Sequence, residues 1–210
     1  MTLGFMIAAP RSGSGKTTVT LGLLRALARR GVKVGSFKCG PDYIDPAFHK
    51  IATGRSSYNL DSWTMSGEVL DSNFARGIAG ADMIIAEGSM GLFDGVASIG
   101  ASGDGSSSDI AARFALPVVL VIDVSGQSQS AGAVAKGFRD FHPDVKIAGV
   151  ILGNVASERH RLLATKSRSA RHRGRSSGSV KSRARDGQPV WRRRSPRIVH
   201  RRHVPRSVAV

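Results

Sequence analysis

The run Ala9-Pro10-Arg11-Ser12-Gly13-Ser14-Gly15-Lys16-Thr17-Thr18 combines glycines, a lysine and hydroxyls at a spacing suited to a triphosphate. A glycine-rich turn between a strand and a helix aims backbone N–H groups into one concavity, at the positive end of the helix dipole. Lys16 would neutralise the β and γ phosphates, and the Thr17 hydroxyl would reach Mg2+. The common pattern G-x-x-x-x-G-K-[ST] has glycine where this chain has Pro10, so the loop is a variant. The alternative is a structural Gly-Ser turn; strand, loop, lysine, hydroxyl and helix in succession favour the phosphate loop.

Carboxylates follow two other apolar runs. Lys38 leads into Cys39-Gly40-Pro41-Asp42-Tyr43-Ile44-Asp45-Pro46, whose lysine and two aspartates would leave the sheet on the same edge as the phosphate loop. The competing assignment is a solvated turn in which Asp45 caps a helix starting at Pro46. Glu87 ends Met83-Ile84-Ile85-Ala86 and precedes Gly88-Ser89-Met90-Gly91-Leu92-Phe93-Asp94-Gly95. A carboxylate there is placed to orient Mg2+, directly or through water. Asp123, after Val118 to Ile122, is a second candidate, and for both acids a turn-capping role stays open. The long glycine-rich stretch from Gly88 to Gly105 is expected to be a mobile active-site loop.

These groups need a scaffold that brings them together. Leu3–Ala8, Val32 to Phe37, Met83 to Ala86, Val118 to Ile122 and Ile147 to Leu152 have the length and β-branched content of buried parallel strands. Helical patterns alternate with them: Thr17 to Arg30, with Gly31 as C-cap, Ser107 to Phe114 and Ser128 to Phe141. The pattern predicts a doubly wound, mostly parallel α/β sheet that binds ligands beyond the carboxyl ends of its strands.

The formal net charge of +16 is unevenly spread. Met1 to Glu158 carries 14 basic and 14 acidic residues, whereas Arg159 to Val210 carries 17 basic residues and the single acid Asp186. The expected organisation is a body over 1–158 and an Arg/Ser-rich tail over 159–210, disordered or read out of frame. Such a tail would bind polyanions, although Trp191 is its only aromatic for stacking on bases. Cys39 is the only cysteine, which excludes an internal disulfide and fits a reducing compartment. No apolar run approaches the roughly 20 residues of a spanning helix, so a cytoplasmic protein without a membrane partner is expected.

The segments Ala9 to Thr18, Lys38 to Pro46 and Glu87 to Gly95 together resemble the cobyrinate a,c-diamide synthases. These are glutamine-dependent amidases of corrin biosynthesis whose ATP-binding domain is similar to dethiobiotin synthetase. The Glu-Gly-x-Met-Gly-Leu-Phe-Asp-Gly stretch is specific to that branch; cobyric acid synthases and dethiobiotin synthetases do not carry it. The resemblance implies that ATP phosphorylates the a and c acetate carboxylates of cobyrinate and that ammonia displaces the phosphate. It also implies site roles. Ser12, Gly13, Ser14, Gly15, Lys16, Thr17 and Thr18 would bind ATP, and Thr17, Asp45 and Glu87 would surround Mg2+. Lys16 and Lys38 would meet the transferring phosphate, Asp42, Tyr43 and Asp94 the substrate carboxylates, and Asn154 the adenine.

The match covers roughly Met1 to His160, and a glutaminase domain with its nucleophilic cysteine is expected to be missing, so the fold is expected to be truncated. Ammonia would then come from elsewhere, and a homodimer is compatible with the resemblance. Two alternatives accompany it: amidation of another tetrapyrrole, hydrogenobyrinate or a nickel sirohydrochlorin, and a partitioning-type nucleotide-switch ATPase that holds DNA with its tail.

Overall fold

The computed structural model describes residues 3–166. Six strands, β1 (Leu3–Ala8), β2 (Val34–Cys39), β3 (Ser57–Leu60), β4 (Met83–Glu87), β5 (Val118–Asp123) and β6 (Ile147–Gly153), form one sheet in the order β3-β2-β4-β1-β5-β6. Every pairing is parallel. Among the described residues five helices connect them, α1 (Lys16–Arg29), α2 (Ile44–Thr53), α3 (Gly67–Ile78), α4 (Ser107–Arg113) and α5 (Ser130–Phe141), and α6 (Glu158–Thr165) follows β6. The expected doubly wound α/β architecture is present. Alternate residues of each strand point to opposite faces. Ile7, Ile85 and Val121 pack under α1 and Ala52 of α2, while Met6, Ala8, Ala86 and Leu120 pack under α3, α4 and α5.

Three elements, β3, α3 and α6, escaped the sequence patterns. β3 is a four-residue edge strand, Ser-Tyr-Asn-Leu, of which only Leu60 is fully buried, so it lacks the apolar run of a central strand. α3 did carry a signal in its cap, where the Ser66 hydroxyl accepts the Val69 N–H, and in Leu70, Phe74 and Ile78 at a spacing of four. Its close approach to β2 depends on glycine. A methyl group at Gly77 would fall on the Phe37 ring, and one at Gly35 on the Gly77 carbonyl. Phe37 also stacks on Phe74, which stacks on Phe114, with ring centroids 5.1 and 4.0 Å apart. Gly77→Ala is therefore expected to cost about 1–3 kcal/mol through overpacking. The measurement is the urea midpoint, and an unchanged midpoint would show that the helix can step back from the strand.

α6 crosses the boundary expected after Glu158. The Ser157 hydroxyl accepts the His160 N–H, and His160 Nε2 lies 2.7 Å from the Gln127 carbonyl oxygen. Ala164 is buried, so ordered packing continues past Arg159. The remainder of the expected tail, residues 167–210, lies outside the described residues. The Gly88–Gly105 stretch is not a free loop. The Leu92 and Ser108 N–H groups bond Ala9 and Leu92, Val96 pairs with Asp104, and Ala101 and Ser102 bond the Trp63 and Ser62 carbonyls. Its backbone groups are thus satisfied by the body of the domain instead of standing in an unbonded loop. Among the described residues no helix is long and apolar enough to cross a membrane.

Candidate active site

The phosphate loop leaves β1 and ends at the α1 N-terminus. Gly13 and Gly15 have φ of 75° and 89°, in the left-handed region, and a Cβ at either would meet nothing within 4 Å. These glycines serve backbone conformation and access to the loop, not packing. The Ser14 hydroxyl donates to the Arg11 carbonyl at 3.0 Å and pins the turn. Lys16 is nearly buried, and its Nζ donates to the Met90 carbonyl at 2.6 Å. Burial first, and then the charge of Lys38, press the Lys16 pKa below its ordinary value.

β4 lies between β1 and β2, and the register sets Glu87 beside both Ile7 and Lys38. The Glu87 side chain is fully buried with donors on both oxygens. The Thr17 hydroxyl donates to Oε1 at 2.5 Å and Lys38 Nζ to the same oxygen at 3.1 Å, while His49 Nε2 lies 2.9 Å from Oε2. Burial favours the neutral acid, yet the His49 hydrogen bond, the Lys38 charge and the Thr17 hydroxyl outweigh it and hold the carboxyl at about 2. Lys38 also pairs with Asp45 at 2.6 Å. Burial works against its charge, but Glu87 and Asp45 raise its pKa.

Asp45 is not the helix cap that the Asp-Pro sequence suggested. It lies in the first turn of α2 with its carboxylate on Lys38. Asp42 does the capping, its Oδ1 accepting the Ile44 and Asp45 N–H groups at 2.8 and 3.2 Å.

One cleft of about 470 Å³ is lined by Ser12, Gly13, Gly15, Lys16, Thr17, Thr18, Lys38, Asp42, Asp45, Ser89 and Met90. Most residues singled out from the sequence thus converge, with Glu87 beneath them. Five others do not line the cleft. Ser14 is buried in the loop, Tyr43 is 85% exposed, and the Asp94 carboxylate turns to the Gly91 N–H at 2.9 Å. Asn154, at φ 56°, donates to Asp123 at 3.1 Å. Asp123 also takes Arg11 at 3.2 Å, and is held at about 2 by the Ser125 N–H, with Asn154 and Arg11 adding to the effect. It is tied up there and does not line the cleft, against its candidacy for metal. His49, Ser89 and Met90 were not picked out from the sequence; only His49 had a signal, a histidine four residues after Asp45 on one helical face.

A family model described as the CobQ/CobB/MinD/ParA nucleotide binding domain matches residues 5–185. The chain belongs to this family. By that description the family is one of nucleotide-binding domains, which fits the phosphate loop between β1 and α1. The chain is 60% identical over 161 residues to a hydrogenobyrinate a,c-diamide synthase of Rhodobacter capsulatus, covering 76% of this chain and 37% of that protein. It is 56% identical over 160 residues to the protein of the same name from Mesorhizobium japonicum, covering 76% and 36%. The chain thus spans little more than a third of the length of these curated relatives. They bear out the resemblance to corrin a,c-diamide synthases. Among solved structures, the signal recognition particle 54 kDa protein of Aeropyrum pernix, in complex with GDP, matches with a TM-score of 0.53 and 23% identity, over 80% of this chain and 39% of that one. That likeness is one of fold.

Proposed function

We propose that this domain uses ATP to activate a side-chain carboxylate of a corrin, which ammonia then converts to an amide. The observation that carries the proposal is Lys38, held between Asp45 and Glu87 in the same cleft as Lys16 and Thr17. Phosphoryl transfer to a carboxylate brings two anions together, so the site must supply positive charge and in-line positioning. Lys16 and Lys38 provide two cations, one on the loop that cradles phosphate and one toward the α2 side of the cleft. The transferred phosphoryl group forms a bond to the carboxylate oxygen as its bond to ADP breaks. Ammonia nitrogen then attacks the acyl carbon, phosphate leaves with the C–O electron pair, and the nitrogen loses a proton.

Thr17, Asp45 and Glu87 are hard oxygen donors that fit Mg2+, which supplies charge neutralisation at the phosphates when bound. Among the described residues no three or more His, Cys, Asp or Glu side chains form a ready metal site. That suits an ion held largely by phosphate and water. By donating to Glu87, the Thr17 hydroxyl turns its lone pairs toward the cleft. In this proposal Ser12 to Thr18 hold the phosphates and Asn154 the adenine, while Asp42 and Tyr43, with Asp94 on its turn, meet the corrin.

The relatives' name favours hydrogenobyrinate over cobyrinate as the macrocycle. Free ammonia is the nitrogen donor proposed for the chain alone. Cys39 is fully buried, and burial pushes its thiol up to about 12, so it is no glutaminase nucleophile. The test is incubation of the purified chain with ATP, Mg2+, ammonium and hydrogenobyrinate, followed by mass spectrometry of the corrin and assay of ADP. Corrin-dependent ADP release with amide formation is expected. ATP binding without any corrin-dependent turnover would overturn the reaction while leaving nucleotide binding intact.

A further inference from the structure

His49 is fully buried in α2 and makes no contact with the cleft's open space, yet it holds one oxygen of Glu87. Because an ionised carboxylate only accepts, Nε2 must carry the proton that bonds Oε2. The opposite ring nitrogen, Nδ1, lies 3.2 Å from the Ser57 hydroxyl, and that hydroxyl lies 3.0 Å from the Ser36 carbonyl. The imidazole is therefore clamped between β4 and the β2–β3 edge of the sheet. Asp45, one turn earlier on the same helix face, takes Lys38. One face of α2 thus supplies a partner to each member of the buried Lys38–Glu87 pair.

We infer that His49 is a positioning residue that sets the orientation of the Glu87 carboxylate, and through it the Thr17 hydroxyl, for Mg2+-dependent nucleotide binding. The torsion that turns a carboxylate about its last bond is soft. Two donors on Oε1 alone leave that rotation loosely defined, whereas a third donor on Oε2 fixes the plane. Removing the imidazole leaves Oε2 buried without a donor. The carboxylate then turns to share its charge with Lys38, and Thr17 loses its fixed acceptor. Outer partners of metal-site groups commonly change metal affinity by about 10- to 100-fold. Asp42, which caps α2, and the exposed Tyr43 immediately precede the helix, so the same histidine ties the proposed substrate side to the proposed metal side.

The inference rests on the functional proposal, and the experiment separates the two. The full chain is titrated calorimetrically with ATP, once with Mg2+ and once with EDTA, as wild type, His49→Gln, His49→Leu and Ser57→Ala. In the wild type Mg2+ should tighten ATP binding; its failure to do so would overturn the metal part of the functional proposal before any substitution is considered, and this inference with it. His49→Leu should lose about tenfold of the Mg2+ gain, with metal-free affinity kept within about twofold. His49→Gln, whose amide N–H still reaches Glu87, should keep most of the gain. Ser57→Ala, which frees one ring nitrogen, should lose about two- to fivefold. An undiminished gain in His49→Leu overturns the inference, and so does an equal loss with and without Mg2+, the behaviour of a merely structural histidine. If His49→Leu does not fold, the other two variants decide: Ser57→Ala matching wild type, or His49→Gln without a Mg2+ gain, overturns it.

Discussion

Glu87→Ala is expected to destabilise the fold by about 3–5 kcal/mol, because it leaves a buried ammonium and a buried imidazole without their shared acceptor. The side chain is fully inaccessible to solvent and accepts from Thr17, Lys38 and His49. Asp45 remains on Lys38 in the variant and limits the loss. Urea denaturation measures it, and a loss below about 1 kcal/mol would mean that the site relaxes around the missing carboxylate. Acid supplies the matching test on the intact chain. The folded carboxyl sits at about 2, below the ordinary 4.5 that an unfolded chain restores. The folded state therefore binds this proton less readily than the unfolded one. Its contribution is complete above 4.5 and is lost as pH falls from 4.5 through 2. The stability gap between wild type and Glu87→Gln should narrow over that window. A gap that holds constant from neutral pH to pH 2 would remove the carboxylate's charge from the account.

Lys16→Ala should weaken ATP binding at least tenfold, about 1.4 kcal/mol, the size of a lost charge-assisted hydrogen bond to phosphate. The cost to the fold should be small, since among the described residues the only side-chain hydrogen bond lost is the one to the Met90 carbonyl. Two ammonium groups share the cleft, and burial together with Lys38 already makes the Lys16 charge less favourable. A triphosphate relieves that repulsion, so the lysine gains more from an anion here than at an exposed position. Calorimetry on the folded variant decides the matter, and wild-type affinity would remove Lys16 from the phosphate site.

Local chemistry made much of this protein legible before its fold. The glycines of the Ala9 to Thr18 run announce a turn, apolar runs announce buried parallel strands, and the helical pattern of Ser107 to Phe114 announces α4. Each depends on neighbours in sequence. The same dependence explains the failures. Asp42 and Asp45 are both able to cap α2, and what assigns the cap to Asp42 is a lysine from the strand before, which claims Asp45. The glycines of 88–105 suggest mobility, but carbonyls of Ala9, Ser62 and Trp63, far away in sequence, hold that segment in place.

The residue types at the site, a lysine and hydroxyl on a glycine turn, a lysine ahead of two aspartates and a glutamate ending an apolar run, were determined by the sequence alone. Their distances were not, because strand order is not written in any one segment. β1 and β2 follow each other along the chain, yet β4 enters between them, and its register sets Glu87 beside Ile7 on one side and Lys38 on the other. That insertion buries the carboxylate where Thr17, Lys38 and His49 can all reach it. Only packing across the whole sheet, which must bury both faces of its central strands under helices, selects that order.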